Sequence, residues 1–191
     1  MNWFARGLVP GVLVILAVTG CSDAKLDRKK AKEQLLKTLE LQVSMESHFI
    51  SRGQPVVVTL EFIGHPEFYP YFGAKNQRIC FLPEVDNFRD PEGGVGIMLA
   101  LLNDRGEQVY FKDEDVWQHG IKYPDQKPEE NPVYRPFREG VMETVQLPLS
   151  EWYDLPPSGY LLRVYYRVMD PRSFWTGPTE SNDLVFKITS W

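Results

Sequence analysis

"VQLPLSEWYDLPPSGYLLRVYYRV", residues 145 to 168, holds two apolar rows separated by a break in the chain. Before the break, Val145, Leu147 and Leu149 continue a row that starts at Val141. After it, Tyr160, Leu162, Val164, Tyr166 and Val168 repeat at the same interval of two. Successive side chains on a strand point to opposite faces, so this period marks a strand with one face buried. The break itself, Leu155-Pro156-Pro157-Ser158-Gly159, lacks two backbone donors and ends in the most permissive residue, which suits a corner. The stretch therefore reads as two core strands joined at a corner.

The same period runs outward in both directions. Leu39, Leu41, Val43 and Met45 form one row, and Val56, Val58, Leu60 and Phe62 form the next, after a turn at Gly53-Gln54-Pro55. Val95, Ile97, Leu99 and Leu101 form another, followed by a hairpin turn at Asn103-Asp104-Arg105-Gly106 and a returning strand through Val109 and Phe111. Leu184, Phe186 and Ile188 close the chain. Strands at this spacing, with turn residues between them and no long helical pattern after residue 40, predict an all-β fold, an antiparallel β-sandwich over residues 39–191. Residues 22–38 are charged and free of Gly and Pro. They predict a short helical tether capped by Ser22 or Asp23, either a basic segment drawn to anionic lipid or a solvated spacer.

Four stretches carry a family resemblance: "SRGQPVVVTLEF", "LNDRGEQVYF", the quoted 145–168 stretch and "SNDLVFKI". In order and wording they resemble bacterial immunoglobulin-like sandwich domains, in particular the accessory domain ahead of some secreted metalloproteases. In immunoglobulin-like folds a tyrosine near the corner bonds its hydroxyl back to the preceding loop. The resemblance implies that structural role for Tyr160, beside Gly159, although the spacing departs from the family's glycine-then-one-then-tyrosine pattern. No protease domain is expected to follow, and a long insertion, "HPEFYPYFGAKNQRICFLPEVDNFRDPEGG", follows the second strand. Such sandwiches host many unrelated activities, so the likeness speaks for architecture and not for function.

The amino terminus gives an address. Arg6 supplies a positive start and Leu8–Val18 an apolar run that is long enough for a secretory signal and short for a membrane span. Val18-Thr19-Gly20-Cys21 resembles the bacterial lipobox, in which the cysteine is acylated and the chain is cut before it. The resemblance implies that residues 1–20 are a signal peptide and that Cys21 is the lipidated first residue of the mature protein. It then carries a membrane anchor of two or three acyl chains, each buried CH₂ adding about 0.8 kcal/mol. Ser22 in place of Asp at the next position favours, by the family's sorting rule, the outer membrane facing the periplasm.

Of the 191 residues, 171 follow position 20, enough for one domain with its own core. Met1–Lys37 holds seven Lys/Arg against three Asp/Glu, leaving 14 basic and 23 acidic residues for the remainder. An acidic body disfavours nucleic acid as a partner, because phosphates need basic contacts. With Cys21 acylated, Cys80 is the one remaining cysteine, and its setting in "RICFL" predicts a buried small apolar residue.

Catalytic patterns are missing from the sequence. His48, His65 and His119 stand apart without H-E-x-x-H pairing, and no G-x-S-x-G or phosphate loop occurs. "DNFRDPEGG" lacks the calcium-loop spacing, and Glu129-Glu130 and Asp113 to Asp115 read as solvated. No enzyme, no cofactor and no metal are expected. Aromatic residues are the better signal: Phe68, Tyr69, Tyr71 and Phe72 in the insertion, and Phe174 and Trp175 before the last strand. In an immunoglobulin-like topology those two loops share one end, where rings form either a binding face or a satellite core. Residues 112–140 are long for a connection and read either as a partner-binding arm or as a meander plugging an edge. The expected function is a lipid-anchored envelope protein with a non-catalytic binding or assembly domain, its partner another envelope protein or a glycan. The alternatives are an accessory or inhibitor module for a secreted hydrolase, and carbohydrate or cell-wall binding through the aromatic loops.

Overall fold

A computed structural model describes residues 30, 33–68, 78–82, 84–88, 95–112, 133–169 and 177–190. The chain divides into two units, Met1–Glu33 and Gln34–Trp191, and the fold below is that of the second. Within it residues 34–37 are helical, and among the described residues no helix is long and apolar enough to cross a membrane.

Strands dominate. The first three are β1 (Leu39–Ser44), β2 (Phe49–Ser51) and β3 (Val57–Gly64), followed by a 3₁₀ turn at Pro66–Phe68. Next come β4 (Arg78–Phe81), β5 (Val85–Asn87), β6 (Gly96–Asn103) and β7 (Val133–Pro136). The chain continues through β8 (Gly140–Pro148), the one-turn helix α1 (Leu149–Trp152) and β9 (Gly159–Arg167). It ends with β10 (Thr179–Glu180) and β11 (Leu184–Thr189). These build a three-stranded sheet in the order β1-β3-β8, a larger sheet in the order β2-β11-β9-β6-β5 with β10 also on β9, and the pair β4-β7. The fold is all-β.

The alternating rows form one core. Leu39, Leu41 and Val43 on β1 and Val58, Leu60 and Phe62 on β3 are buried against Leu162, Val164 and Tyr166 on β9. Phe62 meets Phe81 and Tyr166 edge to face, at 5.0 and 4.9 Å between ring centres. Tyr166 keeps its hydroxyl satisfied inside the core: it donates to the Cys80 carbonyl at 2.8 Å and accepts the Leu82 N–H at 3.1 Å. A buried tyrosine needs such partners, and these tie β4 to the larger sheet. Cys80 is fully buried among these groups.

Four details depart from the sequence expectations. The larger sheet is mixed, because β2 runs parallel to β11 and β5 parallel to β6. The chain leaves β1 after Ser44 and crosses to the other sheet, where it joins the last strand in the same direction. The row through Val141 breaks: Val141 is exposed and Met142 buried, since the β3–β8 register shifts between Phe62 and Ile63. An extra residue in one strand reverses the parity of everything beyond it. The hairpin turn forms, with the Gly106 N–H on the Asn103 carbonyl at 2.9 Å and Gly106 at φ +75°, but only a single bridge from Leu102 to Gln108 follows. Val109 and Phe111 pack on the core as irregular chain. Leu149 begins α1 instead of extending a strand. From 112–140, Tyr134 and Phe137 pack partly against the core, while Trp117 and Tyr123 lie outside the described residues.

Candidate functional site

Of the six aromatic residues in the two loop clusters, only Phe68 is described: it ends the 3₁₀ turn, 41% exposed, with its ring centre 6.0 Å from that of His65. Tyr69, Tyr71, Phe72, Phe174 and Trp175 lie outside the described residues, as do Cys21 and His119.

His65 sits where β3 gives way to that turn. Its Nε2 faces Glu40 Oε2 at 2.7 Å and its Nδ1 faces Glu67 Oε1 at 3.3 Å. Ligands to one metal ion must converge, and these two carboxylates lie on opposite ring nitrogens instead. The arrangement links β1 to the turn. In "DNFRDPEGG", Asp86 and Asn87 belong to strand β5 and not to a loop, and Asn87 Oδ1 accepts the Tyr153 hydroxyl at 3.1 Å. Burial, then the charge of Asp86, pushes the Tyr153 phenol far above its ordinary value.

The corner after α1 is held by Tyr160, whose hydroxyl donates to the Pro156 carbonyl at 2.6 Å. Gly159 starts β9 beside it, and the Tyr160 ring stacks on Phe186 at 5.3 Å. Burial, with Asp154 and Asp104 nearby, raises the Tyr160 phenol above its ordinary value. These hydroxyls serve the fold.

A surface feature the aromatic clusters did not point to lies where β1 crosses to β2. A groove of about 520 Å³ is lined by Met45, Phe49, Pro55 and Val57 together with Glu46 and Gln146. Phe49 is 73% exposed and Val57 is 41% exposed, although large apolar side chains normally turn inward. Strand parity within Val56–Val58 foretells an outward Val57. A three-residue strand is too short to show any period for Phe49.

Sheet edges receive separate treatment. An edge strand offers open N–H and C=O groups that invite pairing. On β1, Asn182 Oδ1 accepts the Val43 N–H at 2.8 Å and its Nδ2 donates to the Val43 carbonyl at 3.1 Å. On β2, Ser47 Oγ holds both backbone groups of Phe49, and Gln54 Oε1 accepts the Ser51 N–H. On β5, Asp86 Oδ1 accepts the Asn87 N–H at 2.7 Å. Side chains thus occupy three of the four edges of the two larger sheets.

Comparison of the chain with protein-family models, with curated proteins and with solved structures returned no match.

Proposed function

We propose that the chain is a lipid-anchored, non-catalytic binding or assembly domain of a bacterial cell envelope, with an immunoglobulin-like β-sandwich as its body. The observation that carries this reading is the spacing of the lipobox and the fold: Cys21 lies 18 residues ahead of Leu39, where β1 begins. Such a tether reaches at most roughly 60 Å, which keeps an anchored body within range of partners at the same membrane.

The immunoglobulin-like reading is supported by two features. β1-β3-β8 in one sheet and β6-β9-β11 in the other match the division of strands A, B, E from C, F, G. Tyr160, at the start of the strand in the F position, bonds back to Pro156 as a tyrosine corner does. Binding is supported by Phe49 and Val57, which hold apolar area in water beside a groove, an arrangement that a partner would cover favourably.

Photo-crosslinking in intact cells with a reactive residue at position 46, exposed at the rim of the groove, tests the two parts separately. Cys21→Ser is expected to release the chain from the membrane fraction, whereas Phe49→Ala leaves it anchored and removes the crosslinked partner band. A membrane fraction unchanged by Cys21→Ser would refute the anchor, and partner bands indifferent to Phe49→Ala would refute the groove.

A further inference from the structure

The fourth edge stands apart. β8 spans nine residues, pairs with β3 on one side, and among the described residues has no strand on the other. Which of its backbone groups face outward follows from the strands beyond it. Asn182 holds the N–H and C=O of Val43, so those groups point away from β3. In antiparallel ladders inward and outward residues alternate. Val43 lies opposite Leu60, so the Leu60 groups turn toward β8 and Val145, its partner there. The N–H and C=O of Thr144 and Gln146 therefore face the open side.

At the start of β8, Arg138 Nη2 reaches the Val141 carbonyl at 3.4 Å. Beyond it, no side chain of the described residues bonds the backbone of Thr144 or Gln146 in the way Asn182, Ser47, Gln54 and Asp86 cover the other edges. The one charge on the strand, Glu143, is taken by Arg135 of β7 at 3.1 Å. The open stretch thus carries no unpaired charge, the usual device for repelling another strand.

We infer that β8 pairs with β8 of a second copy of this chain, antiparallel and about a two-fold axis at Val145. In that register Thr144 stands opposite Gln146 of the second copy, and Gln146 opposite its Thr144. All four N–H and C=O groups on each strand are then satisfied by identical groups on the other, as an isologous interface requires. The ladder ends at its natural limits, since Pro148, which has no N–H, falls opposite the bulged Met142. The two three-stranded sheets become one six-stranded sheet, and the paired strand edges alone bury less than a standard interface, so association is weak and rises with concentration.

The test uses the full chain in detergent over a concentration series, reading backbone hydrogen exchange at Thr144 and Gln146 alongside sedimentation. With increasing concentration the two amides are expected to slow about tenfold while dimers appear. T144E/Q146E sets like charges opposite each other and is expected to abolish this protection, whereas T144E/Q146K sets opposite charges across the axis and preserves it. The three substitutions fall on two exposed side chains, and unchanged melting temperatures confirm that the variants fold. Exchange independent of concentration, equal behaviour of the two double variants, or protection that requires a different co-purifying protein would each overturn the pairing.

Discussion

Asn182 stands in for a strand at Val43. Its amide accepts the Val43 N–H at 2.8 Å and donates to the Val43 carbonyl at 3.1 Å, from 139 positions further along the chain. The contact ties the β10–β11 link of the larger sheet to the edge of the three-stranded sheet, where Leu41 also bridges Ser181. Asn182→Ala is expected to destabilise by about 1–3 kcal/mol, because two partly buried backbone groups lose their partners. Asn182→Asp keeps the acceptor for the Val43 N–H but sets a carboxylate oxygen against the Val43 carbonyl, where two acceptors repel, so at neutral pH it is expected to recover no stability over alanine. Urea unfolding midpoints check both, and an Asp variant as stable as wild type would contradict the role of the Nδ2 donor.

Tyr160 fixes the corner through one hydroxyl. Tyr160→Phe retains the stacking on Phe186 and deletes only the bond to Pro156. A loss of about 1 kcal/mol is expected in denaturant unfolding, and an unchanged midpoint would remove the hydroxyl from the account of the corner.

Gly64 is constrained by space. A Cβ there would collide with the Arg138 carbonyl and lie 2.8 Å from Met142 Sδ, and backbone cannot swing aside as a side-chain tip can. Gly64→Ala is expected to cost about 1–3 kcal/mol of stability through overpacking where β3 meets the start of β8. Gly53, with open space around its Cβ position, serves as a comparison of strain without collision.

The phenols of Tyr153 and Tyr160 are raised in the folded chain, chiefly by burial. Folding therefore favours their protonated forms. That contribution is fully present below the ordinary tyrosine value of about 10 and is lost as pH rises beyond it. Phenolate absorbance of the folded chain is expected to fall short of nine tyrosines just above that pH, with the remainder appearing on unfolding. Tyr153→Phe removes one of the late group. Nine tyrosines titrating together while near-ultraviolet dichroism stays native would contradict the burial.

The rows at Val56–Phe62, Tyr160–Val168 and Leu184–Ile188 are readable in the sequence because each strand has one face in the core and one in water. Cys80 is readable for a different reason: Ile79, Cys80 and Phe81 are buried in succession, and the continuous apolar run marks it. The exposed Val141 is not, since a bulge changes parity without changing composition. The parallel pairing of β2 with β11 joins residues near opposite ends of the chain through three-residue stretches that carry no period. The edge caps are equally hidden: Ser47, Gln54 and Asn182 are ordinary polar residues until the fold sets them against open backbone. The aromatic clusters drew attention by their density, whereas the groove beside Phe49 rests on one ring whose exposure only the fold defines.

Anchoring through Cys21 is the premise on which the proposed role rests, and the mass of the amino-terminal peptide of the membrane-extracted protein tests it most directly. The peptide is expected to begin at Cys21 and to carry two or three fatty acyl chains. A peptide that begins elsewhere, or begins at Cys21 without acyl mass, would contradict that anchoring.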